Sequence, residues 1–253
     1  GGITEGIDIW HGIILNEEMA RIAVGGVAAT LMVHGIGLPP VINFGSEAIK
    51  KLVAPPVLSG TKRISLAITE PGGGSDVAQL QTTARLDGDH YVVNGSKTYI
   101  TGGMNANWFT TAVRTGGDGA GGVSALLISA DLEGVSRTSL DKKQGWWCSD
   151  TATIYFDNVR VPVGNLLGQE NSGFSVIMRN FNSERLSMSA SMEAQSRVCL
   201  EDSVAWARER KTFGQRLADH QVIRHKIAEM KQRINATQAY LQLVCHEVAA
   251  GNE

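Results

Sequence analysis

The spacing of apolar positions changes twice along the chain. From about Asn16 to Val53 it is helical. NEEMARIAVGGVAATLMVHGIG is rich in Ala, Met and Leu, and GSEAIKKLVAPPVL has Ser46 as N-cap and Pro55-Pro56 as a stop. The adjacent Gly25 and Gly26 lower helix propensity, so close packing is expected there. From about Arg63 to Leu167 the period shortens. ISLAITE, QTTARLD, HYVVNG, KTYITG, WFTTAVRT, VSALLIS and TATIYFDNVRV read as short strands rich in β-branched and aromatic residues. DGD, NGS and GGDGAGG separate them as turns, the last as a flexible hairpin tip. The pattern then returns to helix. NSGFSVIMRNF predicts a short amphipathic helix with Ser172 near its start, and SERLSMSASMEAQSRVCLEDSVAWARERK a long one. The segment from His220 is longer still, with Ile223, Ile227, Met230, Ile234, Leu241 and Val244 at 3–4 spacing.

The order helix, β, helix predicts an α+β fold in three parts. These are an N-terminal helical domain (1–62), a middle antiparallel β-barrel or sandwich (63–167) and a partial C-terminal helix bundle (168–253). Two long helices joined by a short loop are expected to pack antiparallel as half of a four-helix bundle. Half a bundle leaves an apolar face for more chain or another subunit to cover.

The chain has 253 residues, 43% of them hydrophobic and 19% charged, as expected for a globular protein. A net charge of −2 gives no support to nucleic-acid binding or to a polybasic membrane surface. No run of apolar residues is long enough to predict a membrane span. Cys148, Cys199 and Cys245 are odd in number and widely spaced, which suggests neither a disulfide framework nor a zinc site. A reducing, intracellular compartment is expected. The chain starts GGITEGIDIW and ends VAAGNE, and both ends read as cuts through a longer protein.

The stretch AITEPGGGSD, Ala67 to Asp76, raises the first chemical question. A strand-like run ends in Thr-Glu-Pro and three glycines. Such bare backbone serves either a tight hairpin turn capped by Ser75 or Asp76, or the close approach of a large anionic ligand. Tyr99 and Thr101 in TYIT read equally as one face of a strand. Arg210 in ERKTFG suits a diphosphate, whose oxygens match its planar fork, or simply a helix C-terminus.

Four motifs in sequence order settle the comparison. AITEPGGGSDVA, VNGSKTYITGGMNANWF, CSDTATIYFDNVRVP and ERKTFGQRLADHQVI together resemble the acyl-CoA dehydrogenases, FAD-dependent enzymes that desaturate acyl-CoA thioesters. The resemblance covers nearly the whole chain. It implies that Leu66, Ile68 and Thr69 line the flavin, with Tyr99 packing near it and Thr101 bonding it. It implies that Ser75 contacts the CoA side of the substrate. Arg210, Thr212 and Phe213 would reach across a dimer interface to the pyrophosphate and adenine region, and Gln221 the adenosine part. Trp146 and Trp147 depart from the single aromatic more usual in this loop.

Desaturation needs a base for the α-proton and an acceptor for the β-hydride; FAD is the acceptor. The family carries its catalytic Glu at one of two points, and SERL places Glu184 at the second. Arg185 matches an arginine that interacts with the CoA part, and Asn182 a substrate-contacting position. The alternative for Glu184 is a first-turn carboxylate with Ser183 as cap. The resemblance further implies an electron-transfer flavoprotein as electron acceptor and a homodimer or homotetramer. The compartment it implies is the cytoplasm in a bacterium and the mitochondrial matrix in a eukaryote. An oxidase returning electrons to oxygen, and a truncated relative that binds flavin without catalysis, remain as alternatives.

Overall fold

The structure, a computed structural model, describes residues 8–252. The described chain begins with five helices: α1 (Ile9–Ala20), α2 (Gly25–Met32), α3 (His34–Gly37), α4 (Pro39–Phe44) and α5 (Glu47–Leu58). Ser46 caps α5 as expected, its Oγ accepting from the Ile49 amide at 3.4 Å. Pro55 and Pro56 do not stop the helix, which runs on to Leu58. Missing proline N–H groups cost only the bonds to the carbonyls of Lys51 and Leu52, both on exposed residues. The proline carbonyls still accept, from the Ser59 and Lys62 amides at 3.0 Å each. Gly26 is packed closely, as expected: a Cβ there would lie 2.6 Å from Cys148 Sγ.

Seven strands form one curled sheet: β1 (Ile64–Ala67), β2 (Thr83–Asp87), β3 (His90–Thr101), β4 (Trp108–Arg114), β5 (Val123–Ser129), β6 (Val135–Ser139) and β7 (Thr151–Pro162). Their order is β1-β4-β2-β3-β7-β6, with β5 also on β4. Most pairings are antiparallel, but β1 and β2 both meet β4 in parallel, unlike the uniform pattern expected. The strand β6 has no counterpart among the expected strands; its sequence, VSRTS, is short and polar and only half buried along one face.

The turn expectations divide. DGD is a two-residue hairpin loop, since Asp87 pairs with His90 and Gly88 has φ +63°. GGDGAGG does connect β4 to β5, but the Arg114 side chain ties it down, donating to the Gly117 and Gly119 carbonyls and to those of Leu80 and Ala78. NGS is not a turn. It lies inside the 12-residue β3, where the register against β7 shifts between Val93 and Gly95. Gly95 has φ +143°, and a Cβ on it would lie 2.8 Å from Thr82 Cα.

The sheet buries both faces of β5. Leu126 and Ile128 pack with Phe109, Val93 and Ile154 inside the sheet, while Ala125 and Leu127 pack with Val41, Val53 and Leu167 under α4 and α5. This double burial explains the unbroken apolar run VSALLIS.

The C-terminal part differs from the sequence expectation in one respect. The two helices expected before the hairpin are one, α6 (Gly173–Glu209), of 37 residues. Its serines do not break it, because Ser189, Ser196 and Ser203 each donate to the carbonyl four residues back, at 2.9, 2.8 and 2.6 Å. A small hairpin, β8 (Lys211–Thr212) and β9 (Gln215–Arg216), leads to α7 (Gln221–Ala249). Ala190 packs with Leu241 and Cys245, whereas Glu193 and Ser196 line a cavity with Arg233 and Ile234. The two long helices therefore run antiparallel, as expected.

By contacts the chain divides into two compact units: Gly26–Asn182, and the chain up to Gly25 with that from Ser183 onwards. Among the described residues no single helix is long and apolar enough to cross a membrane; α2 with α3–α4 passes only as a pair bent by 41°.

Gly95→Ala is expected to destabilise the protein by roughly 1–3 kcal/mol, through both its φ and the crowding by Thr82. A thermal or urea melt against wild type checks this, and an unchanged midpoint would refute the bulge geometry.

Candidate functional site

The loop after β1 is a two-residue turn. Glu70 and Gly73 exchange backbone hydrogen bonds, N to O, at 3.0 Å in each direction, with Pro71-Gly72 at the tip. The three glycines serve two purposes. Gly74 lies against Thr69, where a Cβ would come within 2.9 Å of Cγ2. On Gly72 or Gly73 a Cβ would meet nothing within 4 Å, so both border open space. Asp76 makes no side-chain cap. The turn is as expected but lacks the Asp76 cap, and a bare, open surface stands beside it.

Behind this turn is a group that the sequence reading missed. Lys97 is 0% exposed, and its Nζ donates to Glu70 Oε1 at 2.7 Å and to the Ile68 carbonyl at 3.0 Å. Glu70 also accepts from the Gln81 amide at 2.6 Å and the Thr82 amide at 2.9 Å. Burial pushes the Glu70 carboxyl up, but the Lys97 ammonium and these donors overcome it and hold the carboxyl below its ordinary value. Burial lowers Lys97 to about 8, against the pull of Glu70. The available signal was one lysine and one glutamate within otherwise apolar, β-branched runs.

Thr69 and the Tyr99 segment are brought together directly: the Thr98 amide donates to the Thr69 carbonyl at 2.8 Å. Leu66 and Ile68 send their side chains into an apolar cluster with Val77, Ala112 and Ile177. Ile68 is buried there, so it offers its surroundings only backbone. Thr101 is half-buried at the end of β3 and Ser75 is exposed. Tyr99 is not a core strand residue. It is 69% exposed and left-handed, with φ +59°. Trp146, in the loop before β7, is likewise exposed with φ +54°, and Trp147 beside it is exposed. Lys143 fastens this loop, donating to the carbonyls of Trp146 and Ser149.

The other candidates lie on α6 and the hairpin. Glu184 is not in a first turn: it is well inside α6, which excludes Ser183 as its cap. It is half-buried, and its Oε2 is enclosed without a hydrogen-bond partner. Burial raises its carboxyl above the ordinary value, although the neighbouring Arg185 charge pulls it down. Asn182 and Arg185 lie on exposed positions of the same helix. Arg210, Thr212, Phe213 and Gln221 cluster in sequence around β8–β9. Thr212 pairs with Gln215 across a turn made by Phe213 and Gly214, with φ +51° and +79°. Phe213 is 97% exposed, and Thr212 Oγ1 lies 3.3 Å from His220 Nε2. Among the described residues no group of three or more His, Cys, Asp or Glu is placed to hold a metal.

Of the six described non-glycine residues with left-handed φ, three are the exposed aromatics Tyr99, Trp146 and Phe213. Bulky residues avoid this region at a cost of about 1–2 kcal/mol each. Such strain concentrates where a surface binds something.

Comparison with known proteins identifies the family. The N-terminal, middle and C-terminal domains of acyl-CoA dehydrogenase match residues 1–61, 65–159 and 171–253. An acyl-CoA dehydrogenase of Alternaria alternata, AFT10-1, is 42% identical over 93% of this chain and 54% of its own length. A cyclohexane-1-carbonyl-CoA dehydrogenase of Geobacter metallireducens is 35% identical over 89% of this chain and 59% of its own. The crystal structure of an acyl-CoA dehydrogenase from Geobacillus kaustophilus superposes with a TM-score of 0.92 at 31% identity, covering 100% of this chain and 67% of that one. The chain thus spans little more than half the length of the curated relatives it matches.

Two stability outcomes follow from this geometry. Because folding raises the Glu184 carboxyl, stability falls as pH rises from its ordinary value of 4.5 to its folded one, and the penalty persists above that. Glu184→Gln should therefore melt higher than wild type at about pH 7 and equally at about pH 4. Phe213→Asn should stabilise the flavin-free single chain by about 1 kcal/mol, since Asn tolerates the left-handed turn and so exposed a ring contributes little packing there. Calorimetric midpoints test both, and a lower midpoint for either variant at about pH 7 would contradict its geometry.

Proposed function

The chain belongs to the acyl-CoA dehydrogenase family, and we propose that it carries out FAD-dependent α,β-desaturation of an acyl-CoA thioester. The observation that carries this is Glu184: an enclosed, unpartnered carboxylate oxygen on a rigid helix, with its proton affinity raised by burial. A carboxylate in water is too weak a base for a carbon acid, and burial is what strengthens it. In this role Glu184 takes the proton from the α-carbon. Asn182 and Arg185, on the same helix, bind the acyl-CoA, and Ser75 contacts its CoA portion.

The surface around Thr69 fits a flat, largely apolar ring system. Gly72 and Gly73 border open space, and Tyr99 is held outward beside Thr69. In this reading Thr69 and Thr101 offer hydrogen-bonding groups to the ring, and Leu66 and the backbone of Ile68 line it, their side chains anchored in the apolar cluster with Val77 and Ile177. When bound, FAD supplies the acceptor for the β-hydride. Arg210, Thr212, Phe213 and Gln221 hold the pyrophosphate and adenosine end of the cofactor of a second copy, which makes the working form a homodimer or homotetramer. Arg210 contributes the planar fork suited to a diphosphate. Phe213 is exposed and strained, and within its own chain its ring meets the His220 ring edge-on at 6.4 Å. Electrons then pass to an electron-transfer flavoprotein.

An anaerobic visible spectrum of the full-length protein tests the proposal. A flavin band that bleaches on addition of straight or branched acyl-CoA is expected; a flavin band that no acyl-CoA bleaches would refute it. Glu184→Gln should keep the flavin and slow bleaching by about 10²–10⁴-fold. In wild type the bleaching rate should rise with pH through a value higher than the ordinary one for a glutamate, because the base must be ionised. A variant that bleaches at the wild-type rate would remove Glu184 as the base.

A further inference from the structure

Beyond the Gly95 irregularity the pairing of β3 with β7 is regular from Gly95, opposite Phe156, to Lys97, opposite Ile154, and resumes at Ile100, opposite Ala152. Between them Thr98 and Tyr99 stand against the single residue Thr153, which is a β-bulge. Thr98 keeps contact with β7 through its side chain, Oγ1 to Thr153 Oγ1 at 2.9 Å. Its amide, freed from the ladder, donates instead to Thr69 O at 2.8 Å. Tyr99 is left in the left-handed region with its ring outward.

Lys97 begins this bulge. Its side chain reaches the segment that Thr98 touches, bonding the carbonyl before Thr69 and the carboxylate after it. Glu70 in turn gathers the Gln81 and Thr82 amides. Three stretches distant in sequence therefore meet at one buried ion pair. Apart from the ion pair itself, every one of these bonds ends on backbone of the turn or its flank. An apolar pair of similar volume would fill the same space without the desolvation that two charges impose. What an apolar pair lacks is a donor for the Ile68 carbonyl and acceptors for two amides.

We infer that Lys97 and Glu70 are a positioning pair for the candidate cofactor site, holding Ile68–Glu70 against the Lys97–Tyr99 bulge and so setting where Thr69 and the Tyr99 ring meet a bound flavin. This rests on the reading that the surface takes a flavin. Neither residue touches the ligand; both act through the backbone of the segments that do.

The test is the double variant E70Q/K97M in the full-length protein, which keeps side-chain size and leaves no lone buried charge. Two measurements separate the inference from the flavin reading. Hydrogen exchange of the Thr98 amide, without flavin, is expected to become at least about tenfold faster, while amides in the β4–β5 pairing keep their protection. Titration of the flavin-free protein with FAD is expected to show at least about tenfold weaker binding, with a shifted visible band for the flavin that does bind. Unchanged Thr98 exchange would overturn the inference, since the bulge would then not depend on the pair. Faster Thr98 exchange with unchanged FAD affinity and band would overturn its cofactor half. Wild-type protein that binds no FAD would sink the flavin reading instead, while the exchange experiment would still decide what holds the bulge.

Discussion

An ammonium with no solvent exposure has to be paired, and Lys97 is such a group. Its carboxylate partner lies 27 residues earlier in the chain. Satisfying the pair pulls the Glu70 turn onto β3, draws in the Gln81–Thr82 segment, and frees Thr98 and Tyr99 from the ladder with β7. Removing one member of such a pair costs about 3–5 kcal/mol, a large share of the roughly 5–15 kcal/mol that keeps a domain folded. The turn, its flank and the bulge thus meet at one electrostatic requirement.

The unit that contains this pair also carries strain. Tyr99 and Trp146 sit in a backbone region that disfavours side chains, at about 1–2 kcal/mol each. The sheet core offsets it. Phe109, Leu126, Ile128 and Ile154 are fully buried, each worth about 1.5–3 kcal/mol relative to exposure. The core is held by side chains that need no ligand, while the strained aromatics point away from it. A rigid frame with a strained rim suits a surface meant to receive a flat ligand without rearranging.

The C-terminal side shows the same economy in helical form. The helix α6 is continuous: its serines satisfy their hydroxyls on its own backbone, and its apolar residues are packed near its start at Ile177 and at mid-helix at Ala190. Continuity matters for Glu184. In a first turn its carboxylate would have met unpaired amides and lost basicity. In mid-helix the backbone amides are already bonded, so burial raises its proton affinity against only the pull of the Arg185 charge.

Much of the fold is legible in the amino-acid sequence. The helix–β–helix order, most strands, the Ser46 cap, the close approach at Gly26 and the antiparallel long helices follow from local periodicity and backbone chemistry, which nearby residues decide. The family is legible for a related reason, since its motifs are contiguous. What the sequence does not reveal depends on partners far away along the chain. NGS looks like a turn, but pairing with β7 on one side and Thr82 on the other makes it a bulge. Pro55-Pro56 looks like a stop, but solvent-facing neighbours let the last turn continue. Tyr99 looks like a strand residue, but only the bulge decides which way it faces. Lys97 and Glu70 each look like an ordinary surface charge, because local composition cannot show that two segments 27 residues apart close over both at once. Local sequence determined which elements form; burial and long-range pairing, which exist only in the folded chain, decided where the strain and the buried charges were placed.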